Sequence, residues 1–251
     1  MLAIQDLALQ YGATKVLEGI NINMAPGEIC VLIGPSGCGK SSLLNILAGN
    51  IKKHEGIVTL NGQEIDHRKK TIGMVSQSYG LLPWRTVYGN ITLPLKIKKL
   101  PISEYSQRIQ HVTQRLDIHN LMERYPNSLS GGQKQRVALA TAFILDPLDL
   151  LLMDEPFSAL DAITREESQE LFIDVWTERR PLTIFVTHSI DEAIVLGKKI
   201  VVLGTAPGKI IETIDNTTFG KKDVRTTKDF LEISTHIRTL VKREWKRNDN
   251  S

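Results

Sequence analysis

The sequence predicts an α/β protein with a parallel sheet at its core, an antiparallel β region near the N-terminus and an inserted helical subdomain. An apolar run at 29–33, typical of a buried strand, leads directly into a glycine-rich loop and then a helix. Strand-like runs at 150–153 and 183–186 flank a helical stretch at 162–179, and this alternation favours a parallel sheet. From about 80 to 148, helical spacing replaces the strand signals.

The remaining elements follow from the same patterns. The first strands alternate around a turn at Tyr11-Gly12, and their apolar residues are Leu2, Ile4, Leu7, Leu9, Val16, Leu17, Ile20 and Ile22. Further strands are predicted at 57–60, 72–76 and 200–203. One helix is predicted to open at Ser130 and to be ended by Pro147. The last helix, over 227–247, carries apolar residues at helical spacing, namely Phe230, Ile233, Ile237, Leu240, Val241 and Trp245.

We expect a single domain over 1–251. Its core comprises 1–79 and 149–215, the helical subdomain 80–148, and a C-terminal helical extension 216–251. The end of the chain is basic, because residues 221–251 hold nine Lys and Arg against five Asp and Glu. Such a tail either presents a solvated helix face or lies near an anionic membrane surface.

Composition and charge exclude several classes of protein. The 251 residues are 41% hydrophobic and 24% charged, which is ordinary for a folded soluble protein. A net charge of +3 is too weak to indicate nucleic-acid binding, and no nucleic-acid partner is expected. The first residues do not form a signal peptide, and no run of about 18 apolar residues could cross a bilayer. The two cysteines, Cys30 and Cys38, form no disulfide framework, so a cytosolic location is expected.

The glycine-rich loop matches the pattern G-x-x-x-x-G-K-[ST] of a phosphate-binding loop. Glycines let backbone N–H groups turn around phosphate oxygens, and the following helix N-terminus favours an anion. Lys40 is expected to reach the β- and γ-phosphates of a nucleotide, and the Ser41 hydroxyl to bind Mg²⁺. The competing interpretation is a turn that binds nothing. The candidate nucleotide-binding residues here are Gly34, Pro35, Ser36, Gly37, Cys38, Gly39, Lys40, Ser41 and Ser42.

Polar side chains follow three of the predicted strands. Asp154 and Glu155 end the apolar run at 150–153, where Asp154 is expected to hold Mg²⁺ and Glu155 to polarise the attacking water. His188 and Gln77 also follow strands, so His188 could reach the γ-phosphate and Gln77 could contact Mg²⁺ or the water. Considered alone, both of these residues could equally be structural.

Taken together, these residues resemble the ABC ATPases. The stretch 129–133, Leu-Ser-Gly-Gly-Gln, is similar to the signature sequence of that family, and 158–161 is similar to its D-loop. Tyr11 resembles the aromatic residue that stacks on adenine, Gln77 the Q-loop glutamine and His188 the switch histidine. The resemblance covers roughly 1–215 and implies a P-loop NTPase core of the RecA-like type.

The resemblance also implies a dimer that closes on ATP. Two copies would pack head to tail, each ATP lying between one phosphate loop and the opposite signature, with Asp161 in the adjoining D-loop. The signature residues that would hold the partner's ATP are Ser130, Gly131, Gly132 and Gln133. Motion would pass to an integral-membrane permease through the surface at 77–87.

Three shorter stretches resemble the importers of the nitrate, sulfonate and taurine group. These are 81–87, Thr164-Arg165-Glu166 and Ala206-Pro207-Gly208. Membership would place the chain on the cytoplasmic face of the membrane, with a separate permease and, indirectly, an extracytoplasmic solute-binding protein. Trp84 either couples to the permease or simply covers the subdomain surface.

Two positions depart from the family pattern. Thr141 stands where an arginine is usual, and Ser189 stands where an acid is common. No β-rich regulatory domain is expected after the core. Three rivals remain: a non-transport ABC ATPase that acts on the ribosome or DNA, a nucleotide-gated scaffold, and an exporter, although exporters commonly fuse membrane spans to this chain and none is predicted here. Glu155 and His188 favour an enzyme over the scaffold. The solute itself is not encoded in this chain, since other subunits bind it.

Overall fold

The computed structural model describes residues 1–221 and 223–248, and for 245–248 the backbone alone. The chain forms two compact units, one of residues 1–70 with 182–251 and the other of residues 71–181. The boundaries predicted for the core, the helical subdomain and the extension stay predictions. Residues 249–251 of that extension, and the side chain of Trp245, lie outside the described residues.

Strands and helices alternate along most of the chain. In order, the strands are β1 (Leu2–Tyr11), β2 (Thr14–Met24), β3 (Ile29–Ile33), β4 (Glu55–Leu60), β5 (Gln63–Glu64), β6 (Ile72–Val75), β7 (Leu150–Asp154), β8 (Leu182–Thr187), β9 (Lys199–Leu203) and β10 (Ile210–Asp215). The α-helices are α1 (Lys40–Leu47), α2 (Val87–Ile91), α3 (Leu93–Ile97), α4 (Ser106–Arg115), α5 (Gly131–Phe143), α6 (Ala162–Arg179), α7 (Ile190–Leu196) and α8 (Lys228–Asn248). Short 3-10 turns occupy Ile102–Tyr105, His119–Leu121, Pro126–Ser128 and Val224–Thr226.

The antiparallel region of the first unit has the strand order β2-β1-β4-β5. β1 pairs with β2 from Leu2 opposite Met24 to Tyr11 opposite Thr14. Gly12 turns the hairpin at φ 57°, a conformation that glycine adopts without steric cost. The apolar residues that predicted the first strand are buried, and its alternation is set by one face packing into the core. The predicted antiparallel β region is confirmed.

The first unit also contains a mostly parallel run of strands in the order β10-β9-β3-β8. β3 pairs in parallel with β8 on one side and β9 on the other, and every residue of β3 is buried. A strand covered on both faces needs apolar side chains throughout, which explains the uninterrupted run at 29–33. β10 adds an antiparallel edge beside β9.

In the second unit, β6 and β7 pair in parallel and α2–α6 complete the fold. Three buried phenylalanines form part of its core, because the Phe172 ring lies 6.2 Å from that of Phe143 and 6.3 Å from that of Phe157. Tilted contacts at this separation are favourable for aromatic rings. The predicted α/β architecture is confirmed, and in the described stretch between β6 and β7 the chain forms helices and no strand.

α5 ends four residues before Pro147, the residue that the sequence predicted to end this helix. Its last residue is Phe143, and the Arg108 guanidinium donates to the carbonyls of Phe143, Ile144 and Leu145 at 2.6, 2.9 and 3.1 Å. An arginine can satisfy the terminal carbonyls of a helix in place of further helical turns. No helix in the described part of the chain is both long enough and apolar enough to cross a membrane.

Candidate nucleotide-binding and hydrolysis site

The phosphate loop connects the buried end of β3 to α1. Gly37 and Gly39 have φ of 79° and 94°, in the left-handed region that favours glycine. Gly39 is the N-cap of α1 and has no side chain with which to cap it. Gly34 is needed for space, because a Cβ there would lie 2.9 Å from the Leu203 carbonyl oxygen. The glycines of the motif are therefore required by the local backbone.

The Lys40 ammonium group lies inside this loop. Lys40 is 6% exposed, and its Nζ donates to the carbonyl oxygens of Gly34 at 2.9 Å and Pro35 at 2.8 Å. The Cys38 thiol is buried beside it, 3.9 Å from Nζ. Burial raises the pKa of Cys38, and the nearby ammonium opposes the rise. Ser36, Gly37 and Ser41 are exposed, and Pro35 and Ser42 are half-buried.

His188 leaves the same sheet edge as the phosphate loop. Ile33, the last residue of β3, pairs with Thr187 at the end of β8, so Gly34 and His188 each follow a paired residue. His188 is exposed. The structure thus brings two of the predicted elements together within the first unit, as the carboxyl ends of neighbouring parallel strands require.

The departure at Ser189 has a local explanation. Its Oγ accepts from the Glu192 N–H at 3.3 Å and caps α7, and its own N–H donates to the Thr187 Oγ1 at 3.0 Å. Thr187 in turn donates to the Glu192 carboxylate at 2.5 Å. Serine is a favoured N-cap residue, so the turn that carries His188 is held by this set of bonds. Sequence reasoning missed Glu192, although S-x-x-E is the signal of a capping box.

Tyr11 lies at the end of β1, opposite Thr14, and is 54% exposed. An aromatic side chain at a hairpin end with half its surface open can offer a face to a flat ring. The stacking of Tyr11 on adenine, which the resemblance implies, stays a prediction.

In the second unit, Gln77, Asp154 and Glu155 leave one edge of the β6–β7 pair. Val75 pairs with Met153, so Gln77 follows two residues after one strand and Asp154 is the last residue of the other. Asp154 and Glu155 are half-buried, and Gln77 is exposed. Glu155 has φ 47°, which is uncommon for a residue other than glycine. The turn that follows fixes its carbonyl oxygen, which accepts from Ser158 N at 3.2 Å and from Ser158 Oγ at 2.9 Å.

The signature residues form the N-terminus of α5. Ser130 is the N-cap, its Oγ accepts from Gln133 N at 3.3 Å, and Gln133 Oε1 accepts from Ser130 N at 3.1 Å. This reciprocal pair is a capping box, which fixes the entry to the helix. Ser130 and Gly131 are exposed, while Gly132 is buried.

The D-loop packs against the signature. A Cβ on Gly132 would lie 2.6 Å from the methyl carbon of Thr164, in the first turn of α6. Asp161 caps α6 by accepting from Thr164 N at 3.1 Å, and this hydrogen bond lowers the pKa of the exposed Asp161 carboxyl. Arg165 donates to the carbonyl oxygens of Leu160 at 2.7 Å and Phe157 at 3.3 Å. Sequence reasoning gave Arg165 no role, since the position of backbone carbonyls cannot be read from side-chain patterns.

The stretch after Gln77 is held by Asn90, which is 2% exposed. Asn90 accepts from Leu82 N at 2.7 Å and donates to the carbonyls of Leu82, Arg85 and Thr86 at 2.9 to 3.1 Å. Trp84, inside this loop, is 71% exposed.

Thr141 donates back to the Val137 carbonyl at 2.8 Å within α5, so the second departure is accommodated inside its own helix.

Comparison with known sequences shows the family of the chain. The family described as "ABC transporter" matches residues 17–158, more than half of the chain. The chain is 41% identical to the aliphatic sulfonates import ATP-binding protein SsuB of Bacillus cereus over 82% of this chain and 81% of that protein. It is 38% identical to the taurine import ATP-binding protein TauB of Shigella boydii over 85% and 84% of the two chains.

Among solved structures, the chain resembles the ATP-binding cassette MJ0796, a dimer in a post-hydrolysis state bound to ADP and Pi. The TM-score is 0.73 at 29% identity, over 86% of this chain and 98% of that one. The fold therefore matches a cassette whose nucleotide had been hydrolysed. On the sequence match and this structural similarity, the chain belongs to the ABC transporter family as one of its ATP-binding, ATP-hydrolysing cassettes.

Proposed function

We propose that the chain energises the import of a small sulfonate-like, taurine-like or nitrate-like solute through a separate membrane permease. The observation that carries the proposal is the 38–41% identity, over more than four fifths of both chains, to ATP-binding proteins of sulfonate and taurine import. The alternative of an ABC ATPase acting on the ribosome or DNA is not favoured by these relatives.

For the nucleotide we propose one role for each predicted residue of the first unit. Backbone N–H groups of the phosphate loop bind the phosphates, and Tyr11 stacks on adenine. Lys40 would exchange its hydrogen bonds to the Gly34 and Pro35 carbonyls for bonds to phosphate oxygens. This exchange is favourable because a charged acceptor forms a stronger bond with an ammonium than a neutral carbonyl does.

The candidate ligands of Mg²⁺ remain those that the sequence predicts: the Ser41 hydroxyl in the first unit, and the Gln77 amide and the Asp154 carboxylate in the second. Hard oxygen ligands are those that this ion prefers. When bound, the ion offsets the negative charge of the phosphates. Glu155 accepts hydrogen bonds from the attacking water and orients it, and His188 and Gln77 assist at the γ-phosphate.

The signature and the D-loop serve a second copy of the chain in this proposal. Ser130, Gly131, Gly132 and Gln133 would contact the nucleotide held by the partner's phosphate loop, with Asp161 beside it. The dimeric solved cassette supports a two-fold arrangement for this family. ATP would close the dimer and hydrolysis would open it.

The surface at 77–87 would transmit this motion to the permease. Its exposed Trp84 and the backbone clamp of Asn90 make it a firmly held apolar projection, suited to a packed contact. We further propose a location on the cytoplasmic face of the membrane, an extracytoplasmic solute-binding protein as the indirect partner, and one domain divided as the sequence predicts.

The test begins with protein purified from gently solubilised membranes of its own cell, followed by mass spectrometry. A multi-span permease is expected in stoichiometric amount. The complex is then placed in liposomes with its solute-binding protein, and ATP-dependent uptake of taurine, an alkanesulfonate and nitrate is compared. A complex that carries Glu155→Gln is the control and should bind ATP without uptake. Recovery of ribosomes or DNA-repair factors in place of a permease would reject transport and leave the ATPase assignment intact.

A further inference from the structure

We propose that Gly208 is a positioning residue for the ATP site, because it holds the phosphate loop and β2 together from outside the nucleotide-binding motifs. The inference rests on the proposed function only in requiring that ATP binds at the phosphate loop. Gly208 lies in the turn between β9 and β10. It belongs to Ala206-Pro207-Gly208, a stretch that resembles the importer group but to which the sequence assigned no role.

The first contact joins Gly208 to the phosphate loop. Gly208 is buried, and a Cβ on it would lie 2.1 Å from the Cys38 carbonyl oxygen. Real Cβ atoms do not approach so closely, so the hydrogen of glycine is the only substituent that fits. The Cα–H group therefore faces the carbonyl, as in the weak contacts seen between adjacent strands.

That contact fixes the direction of a phosphate-binding group. The Cys38 carbonyl and the Gly39 N–H belong to one planar trans peptide, in which they point in opposite directions. Holding the carbonyl against Gly208 aims the Gly39 N–H away from the turn. If the Cys38 carbonyl were displaced, the whole peptide would rotate, and the Gly39 N–H would no longer point in that direction.

The second contact joins Gly208 to β2. Its N–H donates to the Val16 carbonyl at 2.8 Å, and its own carbonyl accepts from Glu18 N at 3.0 Å. The Lys209 ammonium adds an ion pair with Glu18 at 3.3 Å, which contributes little because Lys209 is exposed and Glu18 is only half-buried.

β2 in turn contacts the phosphate loop and pairs with β1, the strand that ends at Tyr11. A Cβ on Gly39 would lie 2.6 Å from the Leu17 side chain and 3.0 Å from the Val16 carbonyl oxygen. Leu17 pairs with Leu9 on β1, and Tyr11 follows two residues after Leu9. One glycine thus sets the phosphate loop against the hairpin that ends in the adenine-stacking candidate.

The test compares Gly208→Ala with Gly204→Ala, a matched control in the same turn. The nearest atoms to a Cβ on Gly204 lie at 3.5 Å, which is an ordinary contact. We expect Gly208→Ala to raise the Kd for ATP about tenfold or more, and to raise KM more than it lowers kcat. Gly204→Ala should stay within about twofold of the wild type, because nothing must move to admit its methyl group. Tm is measured for both.

A second measurement uses the wild-type chain, in case Gly208→Ala does not fold. Hydrogen exchange is followed with and without ATP in EDTA, which withholds Mg²⁺. The Glu18 and Gly208 amides should exchange more slowly with ATP, together with those of the phosphate loop.

Three outcomes would overturn the proposal while the ATPase assignment stands: unchanged ATP affinity in Gly208→Ala, equal loss in both variants, or protection limited to the phosphate loop. Failure of the wild-type chain to bind ATP would overturn both.

Discussion

The phosphate loop and the signature turn both place glycines at the N-terminus of a helix, but they treat the first N–H groups differently. At α1 the N-cap is Gly39, with φ 94° and no side chain to accept from those groups. At α5 the N-cap is Ser130, whose hydroxyl accepts from Gln133 N while the Gln133 side chain accepts from Ser130 N. One helix start has no side-chain cap, and the other is capped by its own residues.

This difference suits the two helix starts to different roles in the proposed dimer. A helix start without a cap binds an anion with its own N–H groups, and Lys40 adds a charge beside it. A capped start is stable alone, and its exposed Ser130 and Gly131 can contact a nucleotide that another chain holds. We infer that the phosphate loop determines ATP affinity and that the signature determines dimer closure.

The largest effect is expected from Glu155→Gln, which keeps both helix starts and removes the proposed base. Turnover should fall by about 10²–10⁴-fold, because the amide cannot accept the water's proton, while ATP still binds. The variant should accumulate as an ATP-bound dimer, which size-exclusion chromatography detects. Glu170→Gln, on the exposed face of α6, is the matched control and should keep wild-type turnover. Unchanged turnover in Glu155→Gln would show that another group orients the water.

The proposed roles of the two helix starts are tested by adding one further substitution to Glu155→Gln. Gly39→Ala should lower ATP affinity by about 100-fold or more, since it combines a left-handed φ with a contact that real Cβ atoms do not show. Ser130→Ala should keep ATP binding by the monomer but weaken the trapped dimer about 10–100-fold, because the cap and a polar contact are lost. ATP affinity is measured at low protein concentration and dimer fraction at high concentration. Equal loss of ATP affinity in both variants would contradict the division of labour.

The sequence predicted the fold through its buried strands and helix starts. The apolar run before the phosphate loop, the helix at Ala162–Arg179 and the turn at Gly12 lie where the periodicity and the glycines placed them. These features depend on local backbone demands, which side-chain patterns report directly. The end of α5 was misjudged because Arg108, distant in sequence, caps it.

For the candidate site, the sequence predicted the functional side chains but not the residues that hold the backbone around them. Arg165 and Gly208 act through backbone carbonyls, and Asn90 through four backbone bonds, so none of them belongs to a pattern of reactive groups. The Ser189 departure looked like a lost acid, yet the residue is the N-cap that holds the turn of His188. Such roles require the path of the chain in three dimensions.

A moderate effect is expected for the thiol inside the phosphate loop. Burial raises the pKa of Cys38 above its ordinary value of 9.0, so at pH 8 its thiolate fraction is smaller than that of an exposed cysteine. Alkylation by a small neutral reagent should be about tenfold slower than that of glutathione at pH 8, and should accelerate as pH rises past 9. Cys30, whose pKa is raised to about 12, should react more slowly still. Peptide mass spectrometry follows both sites, and a rate for Cys38 equal to that of glutathione would indicate an open loop.

The smallest effect is expected from Arg165→Lys, which changes the support of the D-loop and keeps the charge. An ammonium group cannot span the Phe157 and Leu160 carbonyls as the guanidinium does. Losing about 1 kcal/mol of hydrogen bonding should lower Tm by about 2–4 °C in a chain of this size. Because Gly132 packs on Thr164 in the same turn of α6, the dimer should weaken a few-fold while monomer affinity for ATP stays unchanged.

Arg179→Lys, which alters an exposed ion pair with Asp146 at the other end of α6, is the control and should change neither Tm nor dimer affinity. A loss of monomer ATP affinity in Arg165→Lys would mean that the D-loop supports the phosphate loop of its own chain, and the two helix starts would then no longer be separable.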